Sequence, residues 1–146
     1  MKAKLVRLLN TLVALYAIIG GILFVIIQSS KLFHPEKAEQ EMLTKPMGLL
    51  EWGYVWADTL VPAPFLLLGG ILLFLRSGAC RRIGGLLVFA GFALNLYAMI
   101  ILWTGLPKIG QTMPPYLFWI NVVLTLLGVL GMIFLALRNG GIDKKS

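Results

Sequence analysis

The sequence predicts an all-α integral membrane protein built as a bundle of four transmembrane helices. Its 146 residues are 59% hydrophobic and 13% charged, whereas a soluble domain is ~45–50% apolar and ~25% charged. The apolar residues are concentrated in four blocks, each close to the ~20 residues that a helix needs to cross a bilayer. Basic residues gather at the ends of these blocks, where they determine orientation in the membrane. We therefore treat residues 1–146 as a single membrane domain.

The four predicted spans are joined by short loops and one longer connection. The spans cover about residues 8–28, 54–75, 83–103 and 116–137, and the longer connection covers residues 29–53. The apolar run of the first span is longer than the ~7–15 residues of a signal peptide, and no A-x-A-like cleavage site follows it. We therefore expect this first span to be retained as a membrane helix.

Small and polar residues recur along three of the spans at alternating steps of four and three. In lipid, small residues allow helices to approach closely and polar residues bond across them. Because this spacing keeps the residues on one helical face, we expect these faces to point into a compact bundle. The predicted inward residues are Asn10, Ala14, Ala17, Gly21, Phe24 and Gln28 in the first span, Gly84, Val88, Gly91, Asn95, Ala98 and Leu102 in the third, and Asn121, Thr125, Gly128, Met132 and Leu135 in the fourth.

The connection between the first two spans contains the segment "HPEKAEQEMLTKP". Pro35 suits the first position of a helix, Glu36 and Glu39 suit its N-terminal turns, and Pro46 would end it. The segment therefore predicts one short amphipathic helix on the outer membrane surface. Its His34 is the only histidine in the chain, which is too few ligands for a zinc site.

The second span begins with "WADTLVPAP". Asp58 suits a helix N-terminus, where its carboxylate can cap free N–H groups and meet the positive end of the helix dipole. Pro62 and Pro64 then fall in the first two turns, where Pro64 should bend or loosen the helix. The inward stripe of this span, Asp58, Pro62, Phe65 and Gly69, is weaker than the other three.

Three polar residues of the outer half form a candidate ligand site. At 1.5 Å per residue, Asn95 lies ~12 Å below Trp103 and Asn121 lies ~8 Å below Tyr116, while Asp58 is near the outer mouth of the second span. These side chains could line one polar track. Two interpretations remain open, because the asparagines could be interhelical ties or could bind a ligand inside the membrane.

The charges predict that both termini are cytoplasmic. Nine of the thirteen basic residues fall at the two termini and in the hairpin between the second and third spans. Short basic segments stay in the cytoplasm, so we expect a multi-pass protein of the inner membrane. Trp56, Trp103 and Trp119 then lie at the outer interface. They either anchor the helices there, as an aromatic belt does, or form the aromatic wall of an outer pocket.

The residue types argue against an enzyme. The single cysteine, Cys80, excludes an internal disulfide, a CxxC pair and a cysteine zinc site. No nucleotide-binding, metalloprotease or serine-nucleophile motif is present. We therefore expect no catalytic residue, metal or cofactor. The net charge of +7 reflects membrane orientation, so the expected partner is the lipid bilayer rather than nucleic acid.

The block Tyr54–Trp103 resembles small four-span bacterial inner-membrane families, the DoxX-like and BphX-like proteins. The resemblance rests on "YVWADTLVPAPFLLLGGILLFL", "RSGACRR" and "IGGLLVFAGFALNLY", about a third of the chain. It implies a non-catalytic or redox-associated membrane subunit.

Two functions follow as hypotheses. In the first, the chain is an accessory or structural membrane protein that acts as a homo-oligomer or as a subunit of a membrane complex. In the second, it binds or transports a small lipophilic molecule, such as a quinone or an aromatic compound, in the outer half of the bundle.

Overall fold

The computed structural model describes residues 3–34, 36, 57, 59–75, 77–110 and 115–140. All regular structure in this part of the chain is helical. The helices are α1 (Ala3–Leu32), α2 (Pro62–Phe74), α3 (Gly78–Gly105) and α4 (Pro115–Gly140), and a 3₁₀ turn (Leu106–Ile109) follows α3. The all-helical fold class is thus confirmed for the described residues.

Three of these helices are long and apolar enough to cross a membrane. The qualifying segments are Lys4–Ile26, Gly78–Lys108 and Phe118–Arg138, which match the first, third and fourth predicted spans. α1 continues through Leu32, beyond the predicted end of the first span near residue 28. The predicted short helix of the outer connection lies outside the described residues, apart from His34 and Glu36.

The second predicted span contains a regular helix that is shorter than those of the other three spans. α2 has 13 residues, or ~20 Å of helix, against ~30 Å of bilayer hydrocarbon. Helical hydrogen bonding nevertheless reaches further back, because Val61 N–H donates to the Ala57 carbonyl and Phe65 N–H to the Val61 carbonyl. Pro62 is the first residue of α2, a position that proline favours. Helix continues through Pro64 to Phe74, and the proposed cap, Asp58, lies outside the described residues.

α2 lies between α1 and α3, and α3 also packs against α4. Glycines allow the two closest approaches. A Cβ atom built on Gly84 of α3 would lie 2.7 Å from the Gly69 carbonyl oxygen of α2, and one built on Gly70 would lie 3.0 Å from the Ala14 carbonyl oxygen of α1. Real Cβ atoms essentially never come within 3.0 Å of another atom, so the crossing at Gly84 requires glycine, while an added Cβ at Gly70 would make an unusually tight contact.

The inward faces predicted from the small-residue spacing are confirmed at most positions. Among the residues of these stripes, the ones that the bundle buries are Ala14, Ala17, Gly21, Gly84, Val88, Gly91, Ala98, Thr125, Gly128 and Leu135. Asn10, Phe24, Asn95, Leu102, Asn121 and Met132 are half-buried, and the Gln28 side chain lies outside the described part of the structure. The outer perimeter consists of exposed leucine, isoleucine and valine side chains, as expected of helices that face lipid.

The single stripe predicted for the second span was wrong in part. α2 buries two faces, because it contacts α1 on one side and α3 on the other. Leu66, Gly70 and Leu73 are therefore buried in addition to Pro62 and Gly69. A prediction based on one stripe of small residues identifies one packing face, and a helix that lies between two others has a second.

Candidate functional site

We call the two ends of the bundle the basic end and the aromatic end. The basic end carries Arg7, Arg81 and Arg138, and the aromatic end carries Trp103 and Trp119. Because α1 and α3 run from the basic end to the aromatic end and α4 runs back, each end combines residues from several helices. Of the residues that the sequence proposed for a site, Trp56 and Asp58 lie outside the described part of the chain.

At the aromatic end, Phe118 bridges the two described tryptophans. Its ring centroid lies 5.9 Å from that of Trp103 and 5.6 Å from that of Trp119. Trp119 is 63% exposed and faces away from the bundle. Trp103 is half-buried, and its Nε1 is buried without a hydrogen-bond partner in the described structure. Trp103 is therefore the tryptophan whose polar group points into protein.

The two asparagines lie at different depths. The contact between Trp103 and Phe118, together with the packing of the Phe92 ring on Gly128, fixes the register of α3 against α4. In that register Asn95 is level with Thr125, and Asn121 lies about one turn nearer the aromatic end. The two amides are thus separated along the bundle axis by ~7 Å.

The partners of these polar groups also differ. Asn121 takes part in an interaction, whereas the half-buried Asn95 side chain makes no hydrogen bond to any residue that the structure describes. Thr125 is only 5% exposed, and its hydroxyl has no partner in the same region. An unsatisfied polar group is costly in an apolar environment. Asn95, Thr125 and Trp103 are therefore three groups with unused hydrogen-bonding capacity, and Trp103 lies ~12 Å from the level of the other two.

Deeper in the bundle, Tyr16 joins the first and last helices. Its hydroxyl donates a hydrogen bond of 2.6 Å to the Leu124 carbonyl oxygen, and its ring lies 5.4 Å from the ring of Phe92. The bond closes α4 against α1, which are adjacent in space but distant in sequence. Tyr16 is therefore an interhelical tie that the small-residue stripes did not include.

The basic end contains a network of guanidinium groups. Arg138 Nη1 donates to Asn10 Oδ1 at 2.7 Å, and its Nη2 donates to the Arg81 carbonyl oxygen at 3.0 Å. Arg81 Nε donates in turn to the Leu75 carbonyl oxygen at 2.8 Å. α1, α3, α4 and the end of α2 are thus connected at one level. Sequence reasoning used these arginines only to orient the chain.

A groove of about 170 Å³ opens beside this network. It is lined by Arg7, Asn10, Thr11, Leu73, Phe74 and Arg81. The sequence contained a signal for it, because Arg138 follows Leu135 by three residues and so extends the inward face of α4 to the same end as Asn10. A search for inward basic residues at the span ends would have found the network.

The described residues hold no group of three or more histidine, cysteine, aspartate or glutamate side chains that could bind a metal ion. His34 is exposed, and Cys80 is a free, half-buried thiol. What the described polar groups can do is hydrogen-bond a neutral molecule near Trp103 and bind an anion near Arg81.

Comparison with known protein families, with curated proteins and with solved structures gives no significant match for this chain. The resemblance to DoxX-like proteins therefore stays an expectation from the sequence, and function must be argued from the residues themselves.

Proposed function

We propose that this chain is a small multi-pass membrane protein of accessory or structural type, which acts as a subunit of a membrane complex or as a homo-oligomer. In this proposal it crosses the inner membrane four times, with α2 and the residues before it forming the second span. The grouping of Arg7, Arg81 and Arg138 at one end supports cytoplasmic termini, because basic segments remain on that side. The resemblance to DoxX-like proteins adds a redox-associated complex as the setting.

The observation that carries the proposal is the position of Tyr97. Its side chain is 64% exposed on the outer surface of α3, and its hydroxyl makes no hydrogen bond within the part of the chain that the structure describes. Tyr97 lies ~9 Å below the level of Trp103. Lipid tails offer no acceptor at that depth, whereas a backbone or side-chain acceptor on a second protein helix would satisfy the hydroxyl.

The experiment compares two exposed tyrosines by photo-crosslinking in native membranes. A photoreactive phenylalanine analogue at position 97 should give a discrete crosslinked band, and Tyr97→Phe should reduce the amount of complex on a native gel. Tyr116, which is 65% exposed near the aromatic end, provides the matched control at the level of the interface. Crosslinks to lipid alone at position 97, with an unchanged native mass for Tyr97→Phe, would refute the proposal.

A second candidate function is supported by the unused polar groups of Asn95, Thr125 and Trp103. The Trp103 N–H, the Asn95 amide and the Thr125 hydroxyl can all donate hydrogen bonds. A small apolar molecule that carries only acceptors, such as a quinone, would satisfy such donors. This candidate is the binder or transporter of a lipophilic molecule in the outer half of the bundle.

Tryptophan fluorescence tests this candidate with a short-chain quinone in detergent. The quinone should quench the protein, and the saturable part of the quenching should fall in Trp103→Phe but persist in Trp119→Phe, because Trp103 is the one of the two described tryptophans that points inward. Asn95→Leu should weaken the remaining saturable binding. Quenching that is linear in quinone concentration in every variant would exclude a defined site.

A further inference from the structure

The groove at the basic end is lined by two cationic side chains, Arg7 and Arg81, that have no anionic partner among the described residues. Arg138 lies beside the groove, where it donates to Asn10 in the same wall. Among the described residues the one carboxylate is Glu36, which follows α1 at the opposite end. The charges of Arg7 and Arg81 are therefore not neutralised by any carboxylate that the structure describes.

The guanidinium of Arg81 is held in place with most of its donors unused. Its Nε–H is bonded to the Leu75 carbonyl oxygen, which fixes the plane of the group. The four N–H bonds on its terminal nitrogens have no partner in the described part of the chain. A planar guanidinium presents such donors as a fork that matches the oxygens of a phosphate. The Arg7 side chain, also without a described partner, supplies a second cation.

The rest of the groove has both polar and apolar walls. Asn10 and Thr11 contribute polar side chains, while Leu73 and Phe74 contribute apolar ones at the end of α2. A volume of about 170 Å³ is below the ~300–1,000 Å³ of pockets for drug-sized molecules. Such a groove suits a phosphate group attached to a short glycerol unit, with the chains of the molecule continuing along the apolar perimeter.

We propose that the groove between Arg7 and Arg81 binds the phosphate of an anionic phospholipid headgroup. A lipid is favoured over a free anion because the groove lies at the end of apolar helices and has Leu73 and Phe74 in its wall. A headgroup with net negative charge is favoured because no described carboxylate can receive a choline or ammonium group. This lipid site does not depend on the proposed accessory role, because a membrane protein of any function could hold such a lipid.

The experiment is native mass spectrometry of the purified full chain in detergent with added phosphatidylglycerol or phosphatidylcholine. Phosphatidylglycerol should bind at one saturable site, about tenfold more tightly than phosphatidylcholine. Arg81→Gln and Arg7→Gln should each weaken binding by roughly tenfold or more, as expected for a lost charge-assisted bond. Arg82→Gln is the matched control, because the exposed Arg82 is adjacent in sequence and its loss removes the same charge.

The outcomes separate the alternatives. Equal weakening by Arg82→Gln would indicate diffuse attraction to charge and overturn the site. Displacement of phosphatidylglycerol by excess inorganic phosphate would identify a site for a free anion instead. A large gain in binding for Asp143→Asn would show that this carboxylate, which lies outside the described residues, occupies the groove. If Arg81→Gln fails to fold, Arg7→Gln still decides the matter, because the Arg7 side chain has no described bond to lose.

Discussion

Replacing Gly84 with alanine should force α2 and α3 apart where they approach most closely. The added Cβ would lie 2.7 Å from the Gly69 carbonyl oxygen, 2.8 Å from Leu72 Cβ and 2.9 Å from the Leu73 nitrogen. Ordinary contacts begin at 3.4 Å, so the helices would have to separate by about 0.7 Å. Two of the three neighbours are backbone atoms, which cannot move without their helix.

The magnitude follows from two opposing terms. Overpacking a close contact costs ~1–3 kcal/mol, and the upper end applies here because backbone atoms are the neighbours. Alanine in place of glycine favours the helix by ~1 kcal/mol. We therefore expect a net loss of about 2 kcal/mol, which lowers the ratio of folded to unfolded protein roughly 30-fold.

The assay is reversible unfolding in mixed detergent micelles, followed by circular dichroism. Gly128→Ala and Gly105→Ala are the controls. An added Cβ at position 128 meets the Phe92 ring at an ordinary 3.6 Å, and one at position 105 meets nothing within 4 Å. Both controls should be as stable as the natural chain or slightly more so. If Gly84→Ala had the same free energy of unfolding as these controls, the close crossing of α2 and α3 would be refuted.

Three further predictions concern the interhelical ties and the orientation. Tyr16→Phe keeps the aromatic contact but loses the bond to the Leu124 carbonyl, so the unfolding free energy in the same assay should fall by ~0.6–1.7 kcal/mol; no change would mean that the bond is absent. Asn10→Leu removes an acceptor from Arg138 and should cost ~1–2 kcal/mol, whereas Asn10→Asp keeps an acceptor and should cost less; equal losses would argue against this bond. The only thiol, Cys80, should resist a membrane-impermeant maleimide in intact cells and react after permeabilisation, and labelling of intact cells would contradict the proposed orientation.

The inward faces of α1 and α4 could be predicted from the sequence because each of these helices presents one main packing face, and the stripe of α3 marks the face that it turns toward α2. Small residues at regular spacing therefore mark that face directly, as Ala14, Val88 and Thr125 show by their burial. α2 does not obey this rule. Since it packs against α1 and α3 together, its small and large buried residues surround much of the helix, and no single stripe describes it.

Hydrogen-bond partners could not be predicted in the same way, because they depend on register between helices. The spacing along α3 and α4 places Asn95 and Asn121 on inward faces, but it does not say how far one helix slides along the other. The structure sets Asn95 level with Thr125. A shift of one turn would have set it level with Asn121, and an amide pair would then have been the expected tie.

The polar side chains of the bundle divide into two groups by what they contact. Asn10, Tyr16 and Arg138 are bonded across helices: the Tyr16 and Asn10 bonds join α1 to α4, and Arg138 also bonds the Arg81 carbonyl of α3. Asn95 and Thr125 lie nearer the aromatic end without such bonds among the described residues. These interhelical bonds account for Asn10, Tyr16 and Arg138 by stability alone. No described bond gives Asn95 and Thr125 such a structural role. A bound molecule that accepts hydrogen bonds would explain why these two residues and Trp103 have polar groups without described partners.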